Sequence, residues 1–178
     1  MKNKKQALLI SISIHALFIL AVYILQGVVF PYMRIGGLVP LLLPIAVTGI
    51  ALYEGQYKGG LAGLFSGILC DLSFHQPAGV FTVFLTLSGL VIGAIADAYI
   101  LPGFVIYYIS CAAILIISTA IQMFPLMVFE EYNIPWHILL PTAIQQTIYS
   151  LILAFPIWFF VRALGKREER VSPSGQAL

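Results

Sequence analysis

The sequence predicts an all-α integral membrane protein, a bundle of six transmembrane helices with both termini in the cytoplasm. Three observations predict it. Hydrophobic residues make up 61% of the 178 and charged residues only 9%, against about 25% charged in an average soluble domain. Apolar runs approach the ~20 residues that cross a hydrocarbon core of about 30 Å. The basic residues fall almost entirely in alternate connections. The same composition sets aside a soluble enzyme, a disordered chain and a disulfide scaffold. A formal net charge of +2, with no basic stripe interleaved with aromatics, gives no footing for nucleic acid. Cys70 and Cys111 both lie in apolar runs and read as small packing residues.

The spans follow from the apolar runs. The first covers 7–30 and follows Lys2, Lys4 and Lys5. It is too long for a signal-peptide core and no small-x-small cleavage site follows, so it reads as an uncleaved helix. The second, 38–53, is short and broken by Pro40 and Pro44. The third, 60–72, is shorter still and ends at Asp71. The remaining three cover 79–101, 103–129 and 138–164. Residues 1–165 thus form one membrane domain, and 166–178 form a charged, then Ser/Pro/Gly-rich cytoplasmic tail with the composition of a disordered segment.

Charge placement decides whether the third run counts, because cytoplasmic loops are enriched in Lys and Arg. With six spans, Lys2, Lys4, Lys5, Lys58, Arg162, Lys166, Arg167 and Arg170 lie inside and Arg34 alone lies outside. With five, the tail moves outside and the bias disappears, four basic residues against five. Six spans also place Glu130 and Glu131 outside. Aromatics then mark both interfaces, Tyr32, Tyr132 and Trp136 outside and Tyr57, Tyr99 and Trp158 inside.

Reactive constellations are sparse. Asp71, Ser73 and His75 are close in sequence, but the members of a catalytic triad are recognised by geometry and usually come from distant segments. His15, His75 and His137 are isolated, without metal-ligand spacing. No glycine-rich phosphate loop is present. The sequence therefore implies no cofactor and no metal. His15, inside the first span, reads as a neutral imidazole bonded to a neighbouring helix, with a proton relay as the alternative.

Glycine spacing is the sharper signal. Gly59, Gly63 and Gly67 fall at steps of four, and Asp71 takes the next step. Residues four apart share a helix face, so this is a flat strip ending in a carboxylate. Such strips admit close helix approach where lipid removes the hydrophobic drive for association. Gly89, Gly93 and Asp97 repeat the pattern in the fourth span, with Leu64 and Leu90 also matching. The face is expected to pack helix on helix, inside the chain or against a partner. Asp97 falls near the inner interface. Asp71 falls within the bundle, where it caps the following turn 72–78, contacts a partner, or binds an ion or substrate. If it only caps, Asp71→Asn should keep much of the fold.

The run Gly59-Gly60-Leu61-Ala62-Gly63-Leu64-Phe65-Ser66-Gly67-Ile68-Leu69-Cys70-Asp71-Leu72, a short polar turn, and then Pro77-Ala78-Gly79 resembles the central signature of the rod-shape-determining protein MreD family. Length, span number, basic N-terminus and short loops match that family over essentially the whole chain. The resemblance implies a multi-pass protein of the bacterial cytoplasmic membrane, without catalytic activity, that acts as a scaffold or regulator of cell-wall elongation. The implied direct partner is MreC. Through it come MreB, RodA and a class B penicillin-binding protein, with membrane lipid as the surroundings. In fold the family is similar to the substrate-binding S components of energy-coupling-factor vitamin transporters, which supply the alternative function. The short second and third spans favour that alternative. The few polar groups of the outer loops (Ser73, His75, Gln76, Glu130, Glu131, Asn133 and His137) speak against it, since a pocket needs several that converge. An enzyme acting on polyprenyl lipids would want several carboxylates or basic residues at one interface. Only Glu130 and Glu131 cluster.

Overall fold

The computed structural model describes residues 2–32, 38–73, 79–99, 103–128 and 136–171. All regular structure among them is helical. The helices are α1 (Lys2–Ile24), α2 (Leu43–Glu54), α3 (Gln56–Ser73), α4 (Val80–Tyr99), α5 (Phe104–Val128) and α6 (Trp136–Val171). A π-helical turn, Leu25–Val29, extends α1. Four stretches are long and apolar enough to cross a membrane: Ile12–Val29, Val80–Ala98, Phe104–Met123 and Leu140–Ala163. The chain is therefore a multi-pass membrane protein by length and composition.

The other two helices depart from that pattern for physical reasons. α2 has 12 residues, about 18 Å at 1.5 Å per residue, and cannot cross a bilayer as a helix alone. The backbone before it, Val39 to Leu42, carries no regular structure. Pro40 works against helix at Val39, because the α region is disfavoured for the residue before a proline. Pro44 sits in the first turn of α2, where its missing N–H costs nothing. The expected span 38–53 is thus an irregular stretch followed by a short helix. α3 has 18 residues, but its glycines, Gln56, Lys58, Asp71 and Ser73 keep it out of the stretches apolar enough to cross a membrane.

α2 is the centre of the fold. All its residues from Leu43 to Leu52 are buried, and it packs against each of the other five helices. A helix apolar on every side belongs in a core. Cross-contacts fix the directions. His15 meets Glu54 and Gln26 meets Leu42, so α1 and α2 are antiparallel. Gly59 meets Gly89 and Gly67 meets Thr82, so α3 and α4 are antiparallel. Gln146 meets Val39 and Trp158 meets Tyr53, so α6 runs with α2. Gln146 meets Gln122 and Ala154 meets Tyr107, so α5 runs against α6.

Several boundaries differ from the sequence reading: α1 begins at Lys2 rather than at 7, and α6 at Trp136 rather than at 138. α3 begins at Gln56 rather than at 60, directly after Gly55, whose φ of 84° turns the chain sharply out of α2. α6 runs to Val171, so 166–171, assigned to the disordered tail, is helical. Lys166, Arg167, Glu168, Glu169 and Arg170 are straight-chain residues of good helix propensity, and the first breaker is Pro173. Arg34, His75, Gln76, Pro77, Ala78, Leu101, Phe129, Glu130, Glu131, Tyr132, Asn133 and the tail from 172 lie outside the described residues, as do the side chains of Tyr99, Trp136 and His137.

Candidate functional site

The glycine strip of α3 lies on the glycine strip of α4. A Cβ added at Gly59 would fall 2.8 Å from the Gly89 carbonyl oxygen and 2.6 Å from the Ala51 Cβ. One at Gly63 would strike the Leu85 carbonyl, and one at Gly67 would lie 2.8 Å from the Phe81 oxygen and the Thr82 nitrogen. From the other side, Gly89 faces the Gly59 carbonyl and Gly93 faces Gly55 and Gln56, whose nitrogen would lie 2.6 Å away. The backbones touch because neither helix has a side chain between them. That is the close approach small residues permit in lipid.

The seam has an internal two-fold. Gly63, Gly67 and Asp71 lie 26 positions before Gly89, Gly93 and Asp97. Gly63 meets Leu85 and Thr86, while Gly89 meets Gly59 and Gly60, the positions 26 before them. Gly67 meets Phe81 and Thr82, while Gly93 meets Gly55 and Gln56, related in the same way.

The two aspartates close the seam at opposite ends. Asp71, at the end of α3, accepts hydrogen bonds from the first turn of α4. The Phe81 N–H donates to Oδ1 at 3.0 Å, and the Gly79 and Thr82 N–H groups donate to Oδ2 at 3.0 Å. The Thr82 hydroxyl also donates to Oδ2. Asp97, at the end of α4, accepts from the Gln56 N–H at 2.9 Å, at the start of α3. Each helix therefore ends in a carboxylate that caps the other. The first N–H groups of a helix lack intrahelical partners, and its N-terminus favours negative charge. The donors to Asp71 lie just beyond the expected turn 72–78. The ends are unequal, since Asp71 is half-buried with four donors and Asp97 is exposed with one described.

Two polar clusters were not singled out from sequence. The first joins α1, α2 and α3. Glu54, its side chain 2% exposed, has Oε1 at 2.8 Å from His15 Nε2 and Oε2 at 2.9 Å from Lys58 Nζ. The Glu54–Lys58 pair has the i,i+4 spacing of a helix-face ion pair, visible in sequence. His15 is 39 positions from Glu54 and could be paired only by the fold. The group it meets on the neighbouring helix is a carboxylate. The second cluster serves the irregular stretch before α2. Gln26 Oε1 accepts from the Leu42 and Leu43 N–H groups at 2.8 and 3.2 Å. Ser150 Oγ accepts from Leu41 N–H at 2.9 Å, and Gln146 Nε2 donates to the Val39 carbonyl at 3.0 Å. Non-helical backbone at membrane depth survives only where protein satisfies it. Buried glutamines in apolar spans were the available signal.

Chemically, the arrangement caps, packs and pairs. Both seam carboxylates are committed to N–H groups, and among the described residues no group of three or more His, Cys, Asp or Glu could hold a metal ion. Comparison with protein-family models, with curated proteins and with solved structures finds no match.

Proposed function

We propose that this protein is a non-catalytic scaffold or regulator of bacterial cell-wall elongation and rod shape, of the MreD type. In this reading it sits in the bacterial cytoplasmic membrane, crosses it six times and keeps both termini in the cytoplasm. It acts through MreC, and through MreC with MreB, RodA and a class B penicillin-binding protein.

The observation that carries the reading is the 59–79 motif, the residues of the resemblance. In the fold its glycines and Asp71 build the α3–α4 seam, a structural role suited to a protein that works by holding a shape. The alternating directions of the described helices support six crossings. Because the glycine faces meet each other, the surface offered to MreC is an outward, lipid-facing one.

The test is affinity purification of the tagged protein from its native host in mild detergent, with mass spectrometry of what accompanies it. Recovery of MreC, with RodA or a penicillin-binding protein, is the expected result. Recovery instead of a transmembrane coupling protein with paired ATPases would overturn it and make the chain the binding subunit of a vitamin transporter.

A further inference from the structure

A hydroxyl inside a membrane bundle is cut off from bulk water and takes its partner from the protein. The nearest acceptor is the carbonyl four residues back on the same helix. Thr48, Thr86, Ser88, Thr147 and Ser150 all use it, with oxygens 2.6–2.9 Å apart. Ser118 of α5 does not. It is 0% exposed, and its Oγ has no hydrogen-bond partner among the described residues. A buried polar group left without a partner is costly.

The register of α5 against α6 shows what lies beside it. Gln146 Nε2 donates to Gln122 Oε1 at 3.2 Å, so these two positions are level. Tyr107 and Val161 both approach Gly49, so they are level too. Four residues back from Gln122 along α5, and four forward from Gln146 along α6, Ser118 comes level with Ser150. Ser150 is also 0% exposed. Its hydroxyl donates to the Gln146 carbonyl at 2.7 Å and accepts the Leu41 N–H at 2.9 Å. One lone pair of Ser150 Oγ is then uncommitted. Ser118, Ser150 and the irregular stretch at Leu41 therefore meet at one level of the bundle.

We propose that an ordered water molecule is bound between Ser118 and Ser150. It accepts the Ser118 O–H and donates to the free lone pair of Ser150 Oγ. The two hydroxyls are level yet not bonded to each other, and a polar separation wider than a direct hydrogen bond is where a water bridges. Buried waters gather at polar groups that the protein leaves unsatisfied. Through Ser150 and the Leu41 N–H, the water ties α5 to the irregular stretch before α2, which Gln146 and Gln26 hold from the other helices. The inference concerns the polar layer of the bundle and stands apart from the proposed role in wall elongation.

The experiment is a density map of the full chain in detergent or lipid, at a resolution that shows ordered water. A peak within hydrogen-bond distance of both Ser118 Oγ and Ser150 Oγ is expected. Well-defined side chains with no such peak would overturn the site, and so would a Ser118 hydroxyl turned onto the Ile114 carbonyl. Thermal unfolding in detergent gives a second reading. Ser88, whose hydroxyl is satisfied by the Phe84 carbonyl of its own helix, is the control. Ser118→Ala removes a bridge between helices and should lower the midpoint more than Ser88→Ala does. A midpoint raised by Ser118→Ala would mean that the hydroxyl is unpaired, and equal shifts for the two variants would mean that it bonds only within α5. Either result would overturn the water.

Discussion

Asp71 uses both carboxylate oxygens as acceptors, Oδ1 for one donor and Oδ2 for three. An amide cannot reproduce this. Asn brings one acceptor oxygen and two donor hydrogens, so at best one N–H of the α4 first turn loses its partner. A partner removed from a buried group costs about 1–3 kcal/mol. Asp71→Asn is therefore expected to lower the thermal unfolding midpoint in detergent measurably, contrary to the mild effect the sequence alone suggests for a capping residue. Asp97→Asn should cost under about 1 kcal/mol, because one amide oxygen can serve the single Gln56 donor. Equal losses for the two variants would contradict the unequal ends of the seam. The glycines give the companion prediction. Gly63→Ala forces a Cβ onto the Leu85 carbonyl and to 2.9 Å from Thr86 Cα, both backbone. A loss of about 1–3 kcal/mol follows from such overpacking, with Gly63→Leu or Gly67→Leu worse. Gly27→Ala, where nothing lies within 4 Å, should change stability by less than about 0.5 kcal/mol. Glycines at steps of four with an aspartate in series are legible in the sequence. The facing helix is not, because spacing shows a face and never its partner.

At the scale of elements, the irregular stretch before α2 is the least expected feature, and its junction with α2 depends on Gln26. The π-helical turn carries an extra residue, which resets the inward face of α1, and Gln26 within it is buried. Gln26→Leu would leave the Leu42 and Leu43 N–H groups without their acceptor in an apolar interior. Each such donor costs about 1–3 kcal/mol, so the variant should unfold at clearly lower temperature or denaturant than wild type. A wild-type unfolding profile would show that another group takes over the cap. Pro40 and Pro44 announce a break here. They cannot announce its acceptor, which sits in another helix. The end of α6 was misplaced for a different reason. Apolar content marks where a helix leaves the membrane, and the helix itself continues through Lys166–Arg170 on propensity. The α3–α4 pair is the most legible element, since its two windows repeat with one offset and antiparallel pairing turns that repeat into a two-fold. The Glu54 cluster is the least, because His15 and Glu54 meet only through α1 and α2 together.

At the scale of the whole molecule, the central question is how often the chain crosses the membrane. The directions of the described helices alternate, and α1 and α6 are the first and last of six. In that arrangement Tyr32 lies at one surface and Tyr57 at the other, and both are almost fully exposed. The tail then shares the surface of Tyr57. If α3 did not cross, the tail would move to the side of Tyr32. The direct measurement uses single cysteines at Tyr32, Tyr57 and Ser172, in a chain where Cys70 and Cys111 are replaced by Ala. Each variant is labelled in intact spheroplasts with a membrane-impermeant maleimide, and again after lysis. Labelling of the Tyr32→Cys variant before lysis, and of Tyr57→Cys and Ser172→Cys only after it, is the result six crossings predict. Labelling of Ser172→Cys in intact spheroplasts would contradict them.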